Sequence, residues 1–271
     1  MIGRAGLSLL ATVAIAVSSA ACTSRGDAAS IDRSSGPLAE QSYQWSAGPD
    51  VDLTAGPAVP IRAYIESRLD AQTMGNLDYA YPGFDRAVAP VTDDDRGDIL
   101  KNNLRPDVDR GPVEKPPVGD NLFRIQVVTR AGATATATLC NYRYRTALEN
   151  DNGSFSSVAS TFRNDDGIDA MRLTLTAPSN GESQLPRQAG PAVAPTVDVF
   201  GSWQISSFLT SWFDSDSQFA AAWPTYEADL AKCVAEAPDP PDRRAFLIDG
   251  QHPRSAFPTS PPMPGWPEPS K

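Results

Sequence analysis

The chain has 271 residues, with 23 Lys and Arg against 33 Asp and Glu, a net charge of −10 and a single histidine. That acidic balance argues against nucleic-acid binding and against electrostatic docking on anionic lipid headgroups, since both require basic surface. One histidine, His252, excludes a His-rich metal site, and the chain contains no Gly-rich phosphate loop.

At the amino terminus, Arg4 precedes an uncharged apolar run, Ala5 to Val17, that is short for a membrane span. Ser19-Ala20-Ala21 then place small residues directly before Cys22. The order resembles a bacterial lipobox and predicts residues 1–21 as an export signal, with Cys22 as the lipid-modified first mature residue. Ordinary secretion after the same small residues is the alternative. Cysteine arithmetic favours lipidation. Of the three cysteines, Cys140 and Cys233 can pair after export, which leaves Cys22 as an odd thiol unless it is modified. A Cys140–Cys233 bridge closes a loop of about 94 residues and contributes ~4 to 5 kcal/mol in the chain-entropy model. Loss of residues 1–21 removes only Arg4, so the mature chain carries 22 basic and 33 acidic side chains, or −11. With no polybasic patch to assist, acyl chains alone hold such a protein on the extracytoplasmic side of the cell membrane.

Residues 22–58 are rich in Ser, Gly, Asp, Ala and Pro and are expected to be a flexible tether. Residues 59–237 are expected to form one domain. In it, Pro60 to Met74 has Ile61, Tyr64, Ile65 and Leu69 at helical spacing, with Arg62, Glu66, Arg68 and Asp70 placed away from that face and Gly75 as a stop. An aromatic turn, Tyr79 to Phe84, leads into a short helix. Asp93 to Pro117 reads as loop; its acidic run Asp93 to Asp98 misses the calcium-loop register and is expected to be a solvated turn.

From Asn121 the pattern changes to period two. Leu122 to Arg130 and Ala133 to Tyr144 predict strands, the second with alanines on one face and threonines, Cys140, Tyr142 and Tyr144 on the other. Asn152-Gly153 predicts a turn, Phe155 to Arg163 and Ala170 to Ala177 further strands, and Val197 to Ser206 a last long one. Ser217 to Glu236 predicts helix broken at Pro224. Residues 238–271 contain 10 prolines among 34 positions, which argues against regular helix and for an extended strap or a loose extension.

Helix, short helix, long loop and a twisted antiparallel sheet ending at Trp203-Gln204-Ile205 resemble the nuclear-transport-factor-two-like (SnoaL-like) cone fold over about Pro60 to Phe208. Thr136-Ala137-Thr138-Leu139-Cys140 is similar to a strand of secreted actinobacterial members, and the residue bias with the lipobox resembles a mycobacterial-type lipoprotein. The resemblance implies an α+β fold, a curved antiparallel sheet packed on amino-terminal helices. It also implies an apolar pocket of the kind that hosts isomerases, dehydratases and pure binders. Tyr64, Asp85, Tyr142 and Tyr144 are the candidate pocket residues, but none matches a catalytic motif of the family, and aromatic packing is the expected role of the tyrosines.

These readings point to an exported, lipid-anchored envelope protein that binds or assembles. No catalytic residue, metal ligand or cofactor is assigned. Its partners are the membrane, through the lipid, and either an envelope protein or a small apolar ligand. The competing functions are a small-molecule enzyme using the cone pocket and a lipid carrier, which needs a cavity well over ~1,000 Å³.

Overall fold

The computed structural model describes residues 31–269 apart from 32, 34, 162–166 and 178–184; the expected export signal, residues 1–21, and Cys22 lie outside them. The chain is α+β. Its sheet curls into a half-barrel built from β1 (Gln41–Ala47), β2 (Val118–Ala131), β3 (Thr134–Tyr142), β4 (Thr146–Glu149), β5 (Phe155–Ser157), β6 (Ile168–Thr176) and β7 (Gln204–Thr210). The spatial order is β5-β4-β2-β3-β6-β7, all antiparallel, and β1 adds in parallel to β2, pairing Gln41 with Gly119 through Ala47 with Ile125.

Both faces of the sheet are covered, which explains why β3 is buried at Ala135, Ala137 and Leu139 as well as at Cys140 and Tyr142. The alanine face joins a first core with α1 (Ala58–Met74) and α2 (Phe84–Ala87). Cys140, Tyr142 and Tyr144 join a second core under α3 (Phe219–Ala222), α4 (Tyr226–Ala235) and α5 (Pro241–Ile248). The α3–α4 break falls at Trp223-Pro224-Thr225, as the proline requires. Cys140 and Cys233 are bonded, with Cα atoms 5.4 Å apart, so the bridge pins α4 to β3 across the second core.

Gly75 ends α1 in the left-handed conformation (φ 57°), and a side chain there would meet the Gly111 backbone at 2.1 Å, so only glycine fits.

Four expectations change. The expected tether, residues 22–58, includes β1, whose Tyr43 and Trp45 are buried in the first core. The carboxy-terminal segment contains the helix α5, because Pro240 and Pro241 stand at its start, where a missing N–H breaks no helical bond. The last strand starts at Gln204, not Val197. Asp198 accepts hydrogen bonds from the Phe200 and Gly201 amides and turns the chain, while Val199, Phe200 and Trp203 still enter the core. Finally, β5 is three residues long and passes into a 3₁₀ turn at Val158, so the strand expected to reach Arg163 ends at Ser157.

Candidate functional site

Arg62, Glu66 and Asp70 stand one helical turn apart on α1, away from its apolar spacing, yet all three are buried, at 0%, 1% and 2% exposure. The apolar side of α1 packs on the sheet as its spacing predicts. Its charged side is covered by three segments distant in sequence: the strand β1, the stretch around Arg33, and the carboxy-terminal strap ending in Trp266.

Glu66 is the centre of this arrangement. Its carboxylate accepts hydrogen bonds from Trp45 Nε1 (2.7 Å), Tyr81 Oη (2.8 Å) and Trp266 Nε1 (2.8 Å). Arg62 Nε approaches it at 3.9 Å. The Arg62 guanidinium lies 4.3 Å from the centre of the Trp266 ring and donates to the carbonyls of Leu53, Gln188, Pro264 and Gly265. One turn on, Asp70 accepts from Arg33 Nε (2.9 Å) and Tyr43 Oη (2.6 Å). Arg33 also stacks on Tyr81 and donates to the Tyr79 carbonyl. A recess of about 20 Å³, room for a water molecule, opens beside Arg33, Gln41, Tyr43 and Asp70.

Burial pushes the Glu66 carboxyl up to about 7, against the pull of Arg62 and the three donors, and pushes Asp70 up to about 6 against Arg33 and Tyr43. Burial raises Tyr43 and Tyr81 well above the ordinary phenol value, with Asp70 the next cause for Tyr43 and Glu66 for Tyr81. In the unfolded chain the two acids ionise near pH 4, whereas in the fold they hold their protons until about pH 6 and 7. Their contribution to stability is therefore complete below about pH 4 and falls as pH rises towards 7. We expect wild-type stability relative to Glu66→Gln to decline by on the order of 3 kcal/mol between acid and mildly alkaline pH, in denaturant unfolding at a series of pH values. A difference that stays flat with pH would refute this assignment for Glu66.

The four candidate pocket residues do not meet. Tyr64 is in the first core, donating to the Leu104 carbonyl (2.8 Å) and packed edge-on against Phe208; burial pushes its hydroxyl up to about 12. Asp85 is a surface carboxylate, 82% exposed, paired with Arg105. Tyr142 and Tyr144 are together, with rings 6.3 Å apart, but in the second core on the other side of the sheet. Trp45, Tyr64, Tyr81, Phe84, Phe208 and Trp266 pack together in the first core.

Other motifs also find their places. In the acidic run, Asp95 closes a capping box with Thr92 and pairs with Lys101, and Arg96 pairs with Asp93. His252 stacks on Phe246 and its Nε2 donates to the Asp249 carbonyl. Trp212 is 64% exposed, while Phe213 packs against the second core. Among the described residues no group of three or more His, Cys, Asp or Glu side chains is placed to hold a metal ion, and no helix is long and apolar enough to cross a membrane.

Sequence reasoning missed the Arg62–Glu66–Asp70 stripe. The available signal was its spacing: one basic and two acidic residues at i, i+4 and i+8, with Trp45 and Trp266 in segments otherwise poor in large apolar residues. No family model matches this chain, and no curated protein or solved structure is significantly similar to it.

Proposed function

We propose that this chain is an exported envelope protein held on the extracytoplasmic side of the cell membrane by a lipid on Cys22, and that its domain works by binding or assembly without catalysis. The observation that carries the second half is the commitment of Glu66. An acid or base catalyst must reach a substrate proton, and both Glu66 oxygens are taken by indole and phenol donors of the chain itself. An isomerase, a dehydratase or a lipid carrier would need open volume where the first core holds its aromatic side chains. The cone-fold and mycobacterial-type lipoprotein likenesses belong to this proposal on the same footing: a curled sheet with α1 on one face agrees with the first, and the lipobox order with the second.

Support for the anchor comes from the order Arg4, Ala5 to Val17, Ser19-Ala20-Ala21, Cys22, and from the Cys140–Cys233 bond, which leaves Cys22 as the remaining cysteine of three. Cys22→Ala is expected to move the protein from the membrane to the soluble or culture fraction; unchanged fractionation would remove the anchor. Native mass spectrometry of envelope-purified protein is expected to give the mass of the acylated polypeptide alone. A stoichiometric small molecule retained by the domain would instead favour an enzyme or carrier.

A further inference from the structure

The carboxy-terminal strap is held as a peptide ligand is held. Its backbone extends the sheet beyond β1: the Trp45 amide donates to the Met263 carbonyl (2.6 Å) and the Met263 amide to the Tyr43 carbonyl (3.1 Å). On its other side, Trp266 and Ala192 exchange a pair of backbone bonds at 2.8 and 3.0 Å. Between these ladders, Arg62 takes the Pro264 and Gly265 carbonyls, and the Trp266 side chain drops into the first core against Glu66, Arg62 and Tyr81. Upstream, the Ser260 amide and hydroxyl donate to Asp120 at 2.8 and 2.7 Å. Main-chain bonds along an exposed strand edge, with one desolvated aromatic anchor, are the two components of recognition by strand addition.

Two features make the segment autonomous. Each of these bonds joins residues far apart in the chain, the nearest pair, Ala192 and Trp266, being 266 − 192 = 74 positions apart. None therefore depends on local chain connectivity. Pro261, Pro262 and Pro267 also fix φ along the segment, which lowers the conformational entropy it loses on docking. Phe257, fully buried in the second core, is the fixed point from which the strap departs.

We propose that the groove between α1, β1 and the Gln188–Val193 stretch is a strand-addition site for an extended, tryptophan-bearing segment, and that the strap of a second copy of this chain exchanges into it. The proposal rests on the assembly reading above and names its partner. Within one chain, a short connection gives the resident strap an effective concentration of ~mM, so exchange between copies becomes significant where copies are crowded. Anchored proteins sharing a membrane surface meet that condition. The exchanged contacts are the same as the resident ones, which is why the energetic difference between closed and exchanged forms is small.

The test traps exchange covalently, so that even infrequent events accumulate. Gln44 and Met263 are opposite one another in the bridge between β1 and the strap. In the full chain carrying Cys22→Ala, one population receives Gln44→Cys and the other Met263→Cys; the two are mixed at high concentration under mild oxidation. We expect a disulfide-linked dimer to form at least tenfold faster than in a mixture of Gln44→Cys with Val197→Cys, an exposed position outside the strap that reports random collision. Adding Trp266→Ala to the Met263→Cys chain should return the rate to the collision level. The doubly substituted chain, Gln44→Cys with Met263→Cys, should close within itself. Internal closure of the double variant together with a mixture no faster than the collision control would overturn exchange, and failure of internal closure would overturn the groove itself. The Cys22→Ala background makes either result independent of the lipid anchor.

Discussion

Trp266→Ala is expected to cost about 3 to 5 kcal/mol, the usual range for truncating a fully buried large aromatic side chain. Trp266 is 1% exposed, and three separate effects follow from its loss. The indole leaves a void between Arg62 and Tyr81, which lie 4.3 and 5.7 Å from its ring. Glu66 loses one of three donors while remaining buried, and a buried carboxylate short of a donor is itself destabilising. The strap also loses the large buried side chain nearest its ladder, so its backbone pairing with β1 has less to hold it. Denaturant unfolding should show a lower midpoint at unchanged slope. Hydrogen exchange should show the Trp45 and Met263 amides losing protection before the amides of β3, because the ladder opens locally. Trp266→Phe keeps most of the volume without the N–H and should lie between the two. A loss under about 1 kcal/mol with the Trp45 amide still protected would mean that the strap is held by its backbone alone.

The same residue marks where the sequence stops being readable. Periodicity located α1, β2, β3 and β6 and the helix break at Pro224, because each depends on spacing within a dozen residues and on the chemistry of its ends. Whether the charged side of α1 meets water depends on Trp266 and Arg33, which stand 200 positions after Glu66 and 37 before Asp70, and no local pattern encodes that covering. A helix between a sheet on one side and two returning segments on the other loses the one-sided polarity that spacing arguments assume. The same blindness separated the candidate pocket. Tyr64 and Tyr142 are legible as core residues, but the sequence carries no local sign that they belong to opposite faces of one sheet, nor that Asp85 points outward. Cys140 and Cys233 were legible because cysteine parity constrains pairing regardless of distance in the chain.

Replacing Cys140 and Cys233 together by alanine is expected to lower stability by ~4 to 5 kcal/mol, the chain-entropy value for a loop of this length. The sequence separation is 93, so the bond restricts a third of the unfolded chain. Alanine is the appropriate replacement, since a serine hydroxyl at these fully buried positions would add an unsatisfied polar group and obscure the effect. The loss should concentrate in the second core. There α4 brings Tyr226, Leu230 and Cys233 against β3 and β6, Gln126 Nε2 donates to Cys233 Sγ at 3.3 Å, and Tyr226 packs edge to face with both Phe219 and Trp223. Fluorescence of Trp223, buried in that core, should report the transition at lower denaturant in the double variant. Because the sulfurs are inaccessible in the fold, reduction of the wild-type bond should proceed at the rate at which this region opens, rising with denaturant and not with reductant once reductant is in excess. A reduction rate that does not change with low denaturant would mean that α4 lifts from the sheet in the folded protein. The bridge would then be a movable clasp instead of a fixed pin between α4 and β3.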